Sequence, residues 1–515
     1  MKYKNIFFGI IALLVTACGD SFLDVPLKTD ITATIYFSRE ADFVQAINGV
    51  YAPLRQIYQG TSSVSEGCTG AFVWDEMRSD NARYIVNPSF RATLNQEAAA
   101  DFITEASNTV ARDQFRQNYL IIARANQILF TIDPVTFATD AKKNSIKGQA
   151  LFLRAFAYFN LVTHFGSVPM HLTPVTNLGE TAIPLSTPEA IKAQIITDLT
   201  AAIDLLPLKS VQAATDKGRI TSGAAKMLLA NLYMVQKDYA SAETLLKGIV
   251  SSNEYSLLAN YATAFSPANK NNAESIFEVQ FLEGGAGYAS WFQYSFIPYP
   301  ILQDTVRKLM GTTNGQSLAG GEGYNIPSPD LIAAYEPGDK RFAATVGYVR
   351  DAGNVRFPYV KKYMYPHATH LQAGTNWPVY RYAEVLLFLA EAINEQAGGR
   401  QAEALTYINT VIGASPVSIR GRAGLALKVA ATQADVRTAI AQERRIELAF
   451  ENKRLPDLIR TGTLQAVISA YGARVKANPA TYYFPAGYLP AAQAFATIDE
   501  LWPLPADEAL YSQYF

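Results

Sequence analysis

The sequence has few of the features that define metal, redox or nucleic-acid-binding proteins. Its 515 residues include only two cysteines, Cys18 and Cys68, and four histidines, and they show no zinc-ligand spacing. Charged residues make up 17% of the chain, against about 25% in average proteins. The net charge is −1, and a chain without a basic field is not expected to bind nucleic acid. We therefore predict no nucleic-acid partner, no metal and no cofactor.

Motifs of common hydrolases and nucleotide-binding enzymes are also absent. The chain has no G-x-S-x-G, no G-x-x-x-x-G-K-[ST] and no H-E-x-x-H. His367 and His370 would share a helix face, but Pro366 argues against a helix there and no third ligand is evident. The sequence favours a protein that is not an enzyme. A helical glycoside hydrolase with two carboxylates from distant positions is the alternative.

The first 17 residues are typical of an export signal rather than of the folded protein. Lys2 and Lys4 precede an apolar run over residues 6–15, which is too short to span a bilayer comfortably. The run leads into Val15-Thr16-Ala17 and then Cys18. We predict a lipoprotein signal peptide, residues 1–17, with Cys18 diacylated (palmitate) as the mature N-terminus, since two acyl chains anchor a protein stably. The alternative is an ordinary secretory signal that contains a cysteine.

The stretch from Gly148 to Leu172 is apolar on nearly all sides of a helix. Such a helix is buried on most of its surface and needs several others packed against it. Gly166 ends the pattern and Pro169 favours an extended exit. We therefore predict that this stretch, the hub helix, lies at the centre of a large helical domain.

Helical hairpins with small residues at their crossings recur along the chain. Thr221–Val250 predicts two helices around a turn, and Tyr382–Val411 repeats the pattern. The hub helix with Glu189–Leu206 forms a third pair, and Asp113–Ile132 belongs to a fourth. We predict a mainly all-α fold of tetratricopeptide-like hairpins that form a right-handed superhelical body. An irregular helical domain without a true repeat is the alternative.

Helical periodicity is largely lost in the middle of the chain, where Gly, Pro, Asn and aromatic residues crowd together. Within it, Glu278–Phe281 predicts a short strand. Long loops of this kind often carry function. We predict a single domain over residues 18–515, with a helical body at about 38–254 and 378–460, a long irregular loop-rich insertion at about 255–377 and an irregular C-terminal region at 461–515.

A run of charged residues lies near the end of the helical body. Ala439–Ile459 predicts one helix, which carries Glu443, Arg444, Arg445 and Glu451. At i,i+3 and i,i+4 spacing, opposite charges stabilise a helix or join neighbouring helices. We predict that this network locks the repeats together.

Six segments together resemble the SusD/RagB family of outer-membrane nutrient-binding lipoproteins. They occur in family order and span essentially the whole mature chain. The segments are CGDSFLD from Cys18, Lys147–Pro169, Gly218–Met234, Pro378–Glu395, Glu443–Arg460 and the late LWPLP at Leu501–Pro505. The chain departs from the family at Leu455-Pro456, where an aromatic residue usually precedes the aspartate, here Asp457, and its tail ends early.

The resemblance implies a helical fold with a ligand-binding face made mostly of irregular loops. It implies a lipid-anchored protein of the outer membrane that faces the cell exterior. It also implies a partner, a SusC-like TonB-dependent transporter, over which the lipoprotein sits as a hinged lid. In this role the protein binds an oligosaccharide or polysaccharide nutrient and delivers it without catalysis. The same role for peptides is the alternative, and a pure interaction scaffold is a further one.

Two segments carry the residue types that bind sugars. In the first, Trp74 and Tyr84 offer flat apolar rings, and Arg78, Asp80 and Asn81 offer planar hydrogen-bonding groups. This segment also resembles a family stretch near the binding face. The structural alternative is that Arg78 and Asp80 form a salt bridge while Trp74 fills the core.

The second segment is the Gly-flanked loop YASWFQYSFIPY. We predict that Trp291, Tyr294 and Tyr299 form a stacking platform on this loop. The alternative is a loop pinned to the helical body by these rings. Peptide capture would instead favour charged anchors such as Arg78.

Overall fold

The computed structural model describes residues 37–60, 70–86, 88, 95–285, 287–299, 301, 303–312 and 322–515. The predicted signal peptide and Cys18 lie outside these residues. None of the helices in the described ranges is both long and apolar enough to cross a membrane.

The first part of the chain is mostly helical, as predicted, and its helices begin with residues suited to capping. The Thr187 side chain accepts a hydrogen bond from the Ala190 N–H, and Pro188 occupies the first helical turn. The elements in chain order are α1 Glu40–Tyr58, β1 Ala82–Arg83, α2 Asn95–Ala100, α3 Thr109–Thr131, α4 Asp140–Phe165, β2 Val168–Pro169, β3 Leu185–Ser186, α5 Pro188–Leu205, α6 Ser222–Gln236 and α7 Tyr239–Ser251.

The insertion contains short strands and short helices. They are β4 Ser275–Val279, α8 Phe292–Ser295, α9 Gln303–Met310, β5 Ile326–Pro327, α10 Pro329–Ala334, α11 Lys340–Thr345, β6 Val346–Arg350 and β7 Arg356–Val360. The rest of the chain forms β8 Trp377–Arg381, α12 Tyr382–Glu395, α13 Gln401–Asn409, α14 Ile419–Ala423, α15 Gln433–Glu447, α16 Arg454–Arg460 and α17 Leu464–Ala477.

The predicted hub helix is α4, and it is buried as expected. Phe152 and Tyr158 are fully buried, and the Phe152 ring packs edge-on against Phe277 of β4 at 5.5 Å. Arg154 is the charged residue of this apolar stretch, and its guanidinium forms two hydrogen bonds of 2.8 and 2.7 Å with the Asp198 carboxylate of α5. A bidentate ion pair of this kind fixes the angle between two helices as well as adding stability. Helix α4 is thus held by both apolar packing and a directional charge pair.

Consecutive helices pack as a continuous array. Contacts run from α1 to α3, α4, α5, α6 and α7 in turn, and α12 then packs on α7. The hairpins predicted at Thr221–Val250 and Tyr382–Val411 are present, as α6 with α7 and as α12 with α13, and the predicted third pair is α4 with α5. Each repeat buries its apolar face against its neighbours. The array is therefore tetratricopeptide-like, and the insertion leaves it after α7 and returns to it at α12.

Strand pairing closes the insertion at its base. The predicted strand is β4, which pairs antiparallel with β8, so that Glu278 lies opposite Pro378 and Val279 opposite Trp377. Because β8 runs directly into α12, this pair anchors both ends of the insertion to the array. The insertion also has a small core of its own, with Tyr294, Val306 and Tyr359 among its members.

The prediction of one helix over Ala439–Ile459 is wrong. Helix α15 ends at Glu447, and α16 begins only at Arg454. Between them Phe450 and Asn452 adopt positive φ angles of 64° and 60°, which a continuing helix does not allow. The charged run therefore lies on two helices joined by an irregular turn.

The charges of this run are buried rather than lying on a helix surface. Glu447 is fully buried and accepts hydrogen bonds from Arg341 at 3.0 Å, from Arg381 at 3.2 Å and from Arg422. Arg341 lies in the insertion, and the other two lie in the helical body. Although burial alone would raise it, the neighbouring Arg422, Arg381 and Arg341 lower the pKa of Glu447 to about 2. The run therefore locks the insertion to the body, a connection that helical spacing does not predict.

The region after residue 460 is not wholly irregular. Helix α17 buries Leu464, Ile468, Tyr471 and Val475 on one face. The final segment then returns to the hub, where the Trp502 N–H donates to the His164 carbonyl at 2.7 Å.

Candidate functional site

The structure places the ring of Trp74 in the core. This side chain is 2% exposed, and its ring lies 4.1 Å from the His164 ring and 6.5 Å from that of Trp502. His164 in turn contacts the Asp75 carboxylate at 2.9 Å through Nε2. In this structure Trp74 fills the core, as in the structural alternative given above. Its contact with a ligand stays a prediction.

Arg78 is also buried, and it does not pair with Asp80. Its Nη2 donates to the Asp499 carbonyl at 2.6 Å, and its guanidinium lies 4.8 Å from the Phe102 ring centroid and 4.9 Å from that of Trp502. Burial lowers the pKa of Arg78 to about 10. The guanidinium thus joins the C-terminal segment to the residue 70–86 segment, and it is 1% exposed.

Asp80 and Asn81 attach the same segment to α15 and to the start of α16. The Asp80 carboxylate pairs with Arg454 at 2.7 Å and with Arg445 at 2.9 Å. Although burial alone would raise it, the charges of Arg445 and Arg454 lower the pKa of Asp80. Asn81 donates to Glu76 at 3.0 Å and accepts from Arg445 at 2.8 Å. Both side chains therefore hold the backbone of this segment in place.

Tyr84 ends the segment and is 2% exposed. Its hydroxyl donates to Asp101 at 2.8 Å, and the Arg83 guanidinium lies 4.2 Å from its ring centroid. Of the five residues proposed in this segment, none presents an exposed side chain in this conformation. Their role as direct ligand contacts remains a prediction, and what the geometry assigns them is positioning.

The two predicted segments lie side by side in the folded chain. The Ile85 N–H donates to the Gly323 carbonyl at 2.7 Å, and the Gly323 N–H donates to the Ile297 carbonyl at 2.9 Å. Strand β1 pairs antiparallel with β5 next to this contact. The Gln59 side chain at the end of α1 donates to the Ala289 carbonyl at 2.6 Å. Positions more than 200 residues apart are thus joined into one loop-built face.

The predicted platform residues differ in their exposure. Tyr294 is 3% exposed, and its hydroxyl lies 2.7 Å from Nε2 of His367. Because His367 Nδ1 faces the Tyr365 carbonyl at 3.0 Å, Nε2 is the acceptor of the Tyr294 hydroxyl proton. Trp291 and Tyr299 are half-buried. Tyr294 therefore pins the loop to the insertion, whereas Trp291 and Tyr299 stay partly accessible.

The exposed ring of this loop is Tyr288, which the sequence prediction did not single out. Tyr288 is 53% exposed, and the Arg55 guanidinium of α1 lies 4.7 Å from its ring centroid. The sequence feature that could have identified Tyr288 is its position directly after Gly287, in a glycine-rich stretch that is typical of a loop. Its partner Arg55 is 233 positions away, so the pair is set by the fold.

Tyr288 forms one side of an open groove of about 560 Å³. The groove runs between α1, β4 and the turn before α6. Its lining includes polar side chains with planar or charged groups, namely Asn48, Arg55, Lys217, Arg219 and Gln280. Arg219 is held in place, because it donates to Asn48 Oδ1 at 2.8 Å and to Asp216 Oδ1 at 3.0 Å. An aromatic ring beside fixed hydrogen-bonding groups can hold a sugar ring.

A second concavity, of about 360 Å³, lies within the helical array. Aromatic residues of α4, β8 and α12 line it, including Phe159, Tyr380 and Phe388. Many of its charged lining residues are paired with other protein groups. For example, Lys453 forms an ion pair with Glu384 at 3.0 Å. This cavity offers apolar surface with compensated charge, whereas the groove at Tyr288 lies on the loop-built face.

Comparisons with known proteins agree with this architecture. The SusD family model matches residues 349–511, and a model described as starch-binding associating with outer membrane matches residues 21–234. SusD-like protein P25 of Formosa agariphila is 28% identical over 499 residues, covering 91% of this chain and 92% of that protein. SusD-like protein P2 of the same organism is 26% identical over 510 residues, covering 93% and 94%.

Solved structures give the same result. A laminarin-binding SusD-like protein superposes with a TM-score of 0.71 at 25% identity, over 92% of this chain and 98% of that one. A SusD homologue from Bacteroides thetaiotaomicron gives a TM-score of 0.75 at 19% identity, over 95% and 98%, which bears on the fold alone. With the family models at both ends of the chain and relatives along its whole length, this chain belongs to the SusD/RagB family.

Proposed function

We propose that this chain is a non-catalytic glycan-binding lipoprotein of the outer membrane that delivers oligosaccharide to a SusC-like TonB-dependent transporter. The observation that carries the proposal is the exposed Tyr288 ring at an open groove lined by planar polar side chains. A groove volume of about 560 Å³ is in the range of about 300–1,000 Å³ that is common for small-ligand sites.

The composition of the groove suits a sugar. The apolar C–H face of a pyranose packs on an aromatic ring, and its hydroxyl groups pair with amide and guanidinium groups. Tyr288 supplies the ring, while Asn48 and Arg219 supply fixed polar groups. Trp291 lies on the same loop but packs against the small core of the insertion that contains Tyr294, and it is not one of the groove's described lining residues. The similarity of this chain to a laminarin-binding SusD-like protein also supports the proposal.

Glycan capture is favoured over peptide capture by the position of Arg78. A peptide-binding role would use charged anchors, and Arg78 was the proposed one. It is 1% exposed and lies between the Phe102 and Trp502 rings. An anchor in that position cannot reach a peptide in this conformation.

A binding role is also favoured over glycoside hydrolysis. Hydrolysis needs two carboxyl groups roughly 5–10 Å apart at the scissile bond. Glu278, the carboxylate among the groove's described lining residues, is 5% exposed and accepts hydrogen bonds from the Asn271 N–H and the Asn376 amide. Asp216 beside the groove pairs with Arg219. Neither is placed as a free acid or base.

The anchor and the transporter belong to the proposal through the family resemblance. We expect Cys18→Ser to move the protein out of the membrane fraction, because the thiol that would take the first acyl chain is removed. We also expect the full chain to copurify from outer membranes with a TonB-dependent transporter. Recovery of Cys18→Ser in membranes at the wild-type level would contradict the lipid anchor.

The binding role is tested with the full chain purified in detergent and titrated calorimetrically with a panel of oligosaccharides. We expect Tyr288→Ala to lose about tenfold in affinity for any glycan that the wild type binds, since packing on an aromatic ring is worth about 0.5–1.5 kcal/mol beyond the area it buries and about 1.4 kcal/mol is tenfold. Tyr511→Ala is the matched control, because its ring is 72% exposed at the far C-terminus. Equal affinities for both variants would contradict a platform at Tyr288.

A further inference from the structure

The groove at Tyr288 carries an excess of positive charge. Its described lining residues include three cations, Arg55, Lys217 and Arg219, and one carboxylate, Glu278. Glu278 is occupied by the Asn271 N–H at 3.2 Å and the Asn376 amide at 2.8 Å. It is held by these neutral donors and forms no ion pair with Arg55 or Lys217 among the described residues.

Arg55 is the least compensated of these cations. Within the described ranges its guanidinium has no carboxylate partner, and its contact is the Tyr288 ring at 4.7 Å. The Nε of Arg55 is buried, and it has no hydrogen-bond partner among the described residues. Burial lowers the pKa of Arg55, in keeping with a cation that lacks a counter-ion. Burying a charged group without a partner costs free energy. An anion that pairs with the Arg55 guanidinium would therefore be bound favourably.

The other two cations extend the positive surface. Lys217 is exposed and forms no ion pair among the described residues. Arg219 pairs with Asp216 at 3.0 Å, but that carboxylate is half exposed, so it offsets the charge only in part. Gly218 between them has a φ of 94°, a value that favours glycine. The turn therefore sets both cations at the groove in a defined geometry.

The helical cavity does not show this imbalance of charge. Its described lining includes five cations and five carboxylates, Lys192, Lys237, Arg444, Lys453 and Arg460 with Asp75, Glu384, Glu451, Asp457 and Glu500. Arg444 pairs with Asp457 at 2.8 Å, and Arg460 pairs with the same carboxylate at 2.7 Å. A concavity of this composition suits no charged ligand, whereas the groove suits an anionic one.

We propose that the groove binds an acidic saccharide, with Arg55 and Lys217 holding the anionic substituent and Tyr288 taking the face of the sugar ring. The substituent is a carboxylate, as in a uronic acid, or a sulfate ester, since a guanidinium binds both through paired N–H groups. This inference rests on the proposed glycan-binding function and names the class of glycan.

The test uses three probes of similar length on the full chain: a galacturonic acid oligomer, a sulfated galactose oligomer and neutral laminarihexaose. We expect an acidic probe to bind about tenfold or more tightly than the neutral one, because hydrogen bonds between charged groups are stronger than those between neutral groups. Its affinity should fall as salt rises, since the groove is open to solvent. Comparing the galacturonic acid oligomer with the sulfated galactose oligomer shows whether the groove prefers a carboxylate or a sulfate ester.

Substitutions of groove residues test whether the preference for acidic saccharides arises in the groove. We expect Arg55→Met and Lys217→Gln each to weaken acidic binding several-fold or more while leaving neutral binding nearly unchanged. Arg356→Met is the matched control for Arg55, because Arg356 also stacks on a tyrosine, at 3.5 Å from the Tyr348 centroid. Lys237→Gln is the control for Lys217, since it removes an exposed lysine outside the groove. Both controls should bind like the wild type.

The outcomes separate this inference from the proposed function. Tighter binding of the neutral probe, or unchanged acidic binding in both Arg55→Met and Lys217→Gln, overturns the acidic preference but leaves glycan binding standing. Binding of an aspartate-rich peptide with no binding of any saccharide overturns both. Lys217 is exposed, so Lys217→Gln keeps the test decisive if Arg55→Met fails to fold.

Discussion

Glu447→Gln tests whether the buried charge network holds the insertion to the helical body. The carboxylate is fully buried and accepts hydrogen bonds from three arginines, one in the insertion and two in the body. Removing one partner of a buried ion pair leaves uncompensated charge, at a cost of about 3–5 kcal/mol. A domain is usually stable by about 5–15 kcal/mol, so the variant is expected to lose a large part of the total.

The pKa of Glu447 gives the pH dependence of this effect. The neighbouring Arg422, Arg381 and Arg341 hold the pKa of this carboxyl well below its ordinary 4.5 although burial alone would raise it, so protonation of Glu447 destabilises the folded chain. Because the folded-state pKa is the lower one, this stability is present above about pH 4.5 and is lost as the pH falls toward 2. The wild type should therefore lose stability over that window, and Glu447→Gln should lose less.

The assay is urea unfolding followed by tryptophan fluorescence, between pH 2 and pH 7. We expect the free energy of unfolding of Glu447→Gln to lie about 3–5 kcal/mol below wild type at pH 7 and to approach it near pH 2. Glu105→Gln is the control, since Glu105 is exposed and should change stability by less than about 0.5 kcal/mol. A Glu447→Gln curve that runs parallel to wild type at all pH values would refute the reasoning.

Two further substitutions test the packing around the candidate site. Trp74→Ala should lower the free energy of unfolding by about 3–5 kcal/mol, because it empties a core position that is 2% exposed; a loss below about 1 kcal/mol in urea unfolding would contradict this placement. Gly60→Ala should displace Trp291 and lower the melting temperature, because the added Cβ would lie 2.5 Å from Trp291 Cδ1. Gly248→Ala, with no atom within 4 Å of its Cβ, should be neutral or stabilising, and equal melting temperatures for the two would count against the contact.

The sequence predicts the helical array well because its signals are local. The apolar circumference of α4 and the Thr-Pro start of α5 depend on residues a few positions apart. Apolar periodicity of that kind can be read from the sequence without knowing which elements the helix packs against. The hub, both hairpins and the strand at β4 were predictable for this reason.

The charged run shows where local reasoning fails. Spacing predicted an i,i+3 and i,i+4 network that locks the repeats together, yet Glu447 pairs with arginines 25, 66 and 106 positions away. Positive φ angles at Phe450 and Asn452 break the helix, and no glycine marks the break. Tertiary pairing of the buried charges outweighs the local helix preference there.

The candidate site was predictable as a region but not residue by residue. The two segments chosen for their aromatic and planar polar residues do meet, through Ile85 and Gly323. Composition alone does not tell which face of a segment points inward, so Trp74 proved to be buried. The pair of exposed Tyr288 and half-buried Arg55 depends on a contact between α1 and the insertion, which a single sequence does not reveal.

The central claim is that this chain holds a saccharide in the groove at Tyr288 and leaves it intact. The most direct measurement is a calorimetric titration of the full chain with acidic and neutral oligosaccharides, followed by chromatography of the recovered sugar. The account predicts saturable binding that Tyr288→Ala weakens, with every recovered oligosaccharide at its original length. Shortened products, or binding that Tyr288→Ala leaves unchanged, would contradict it.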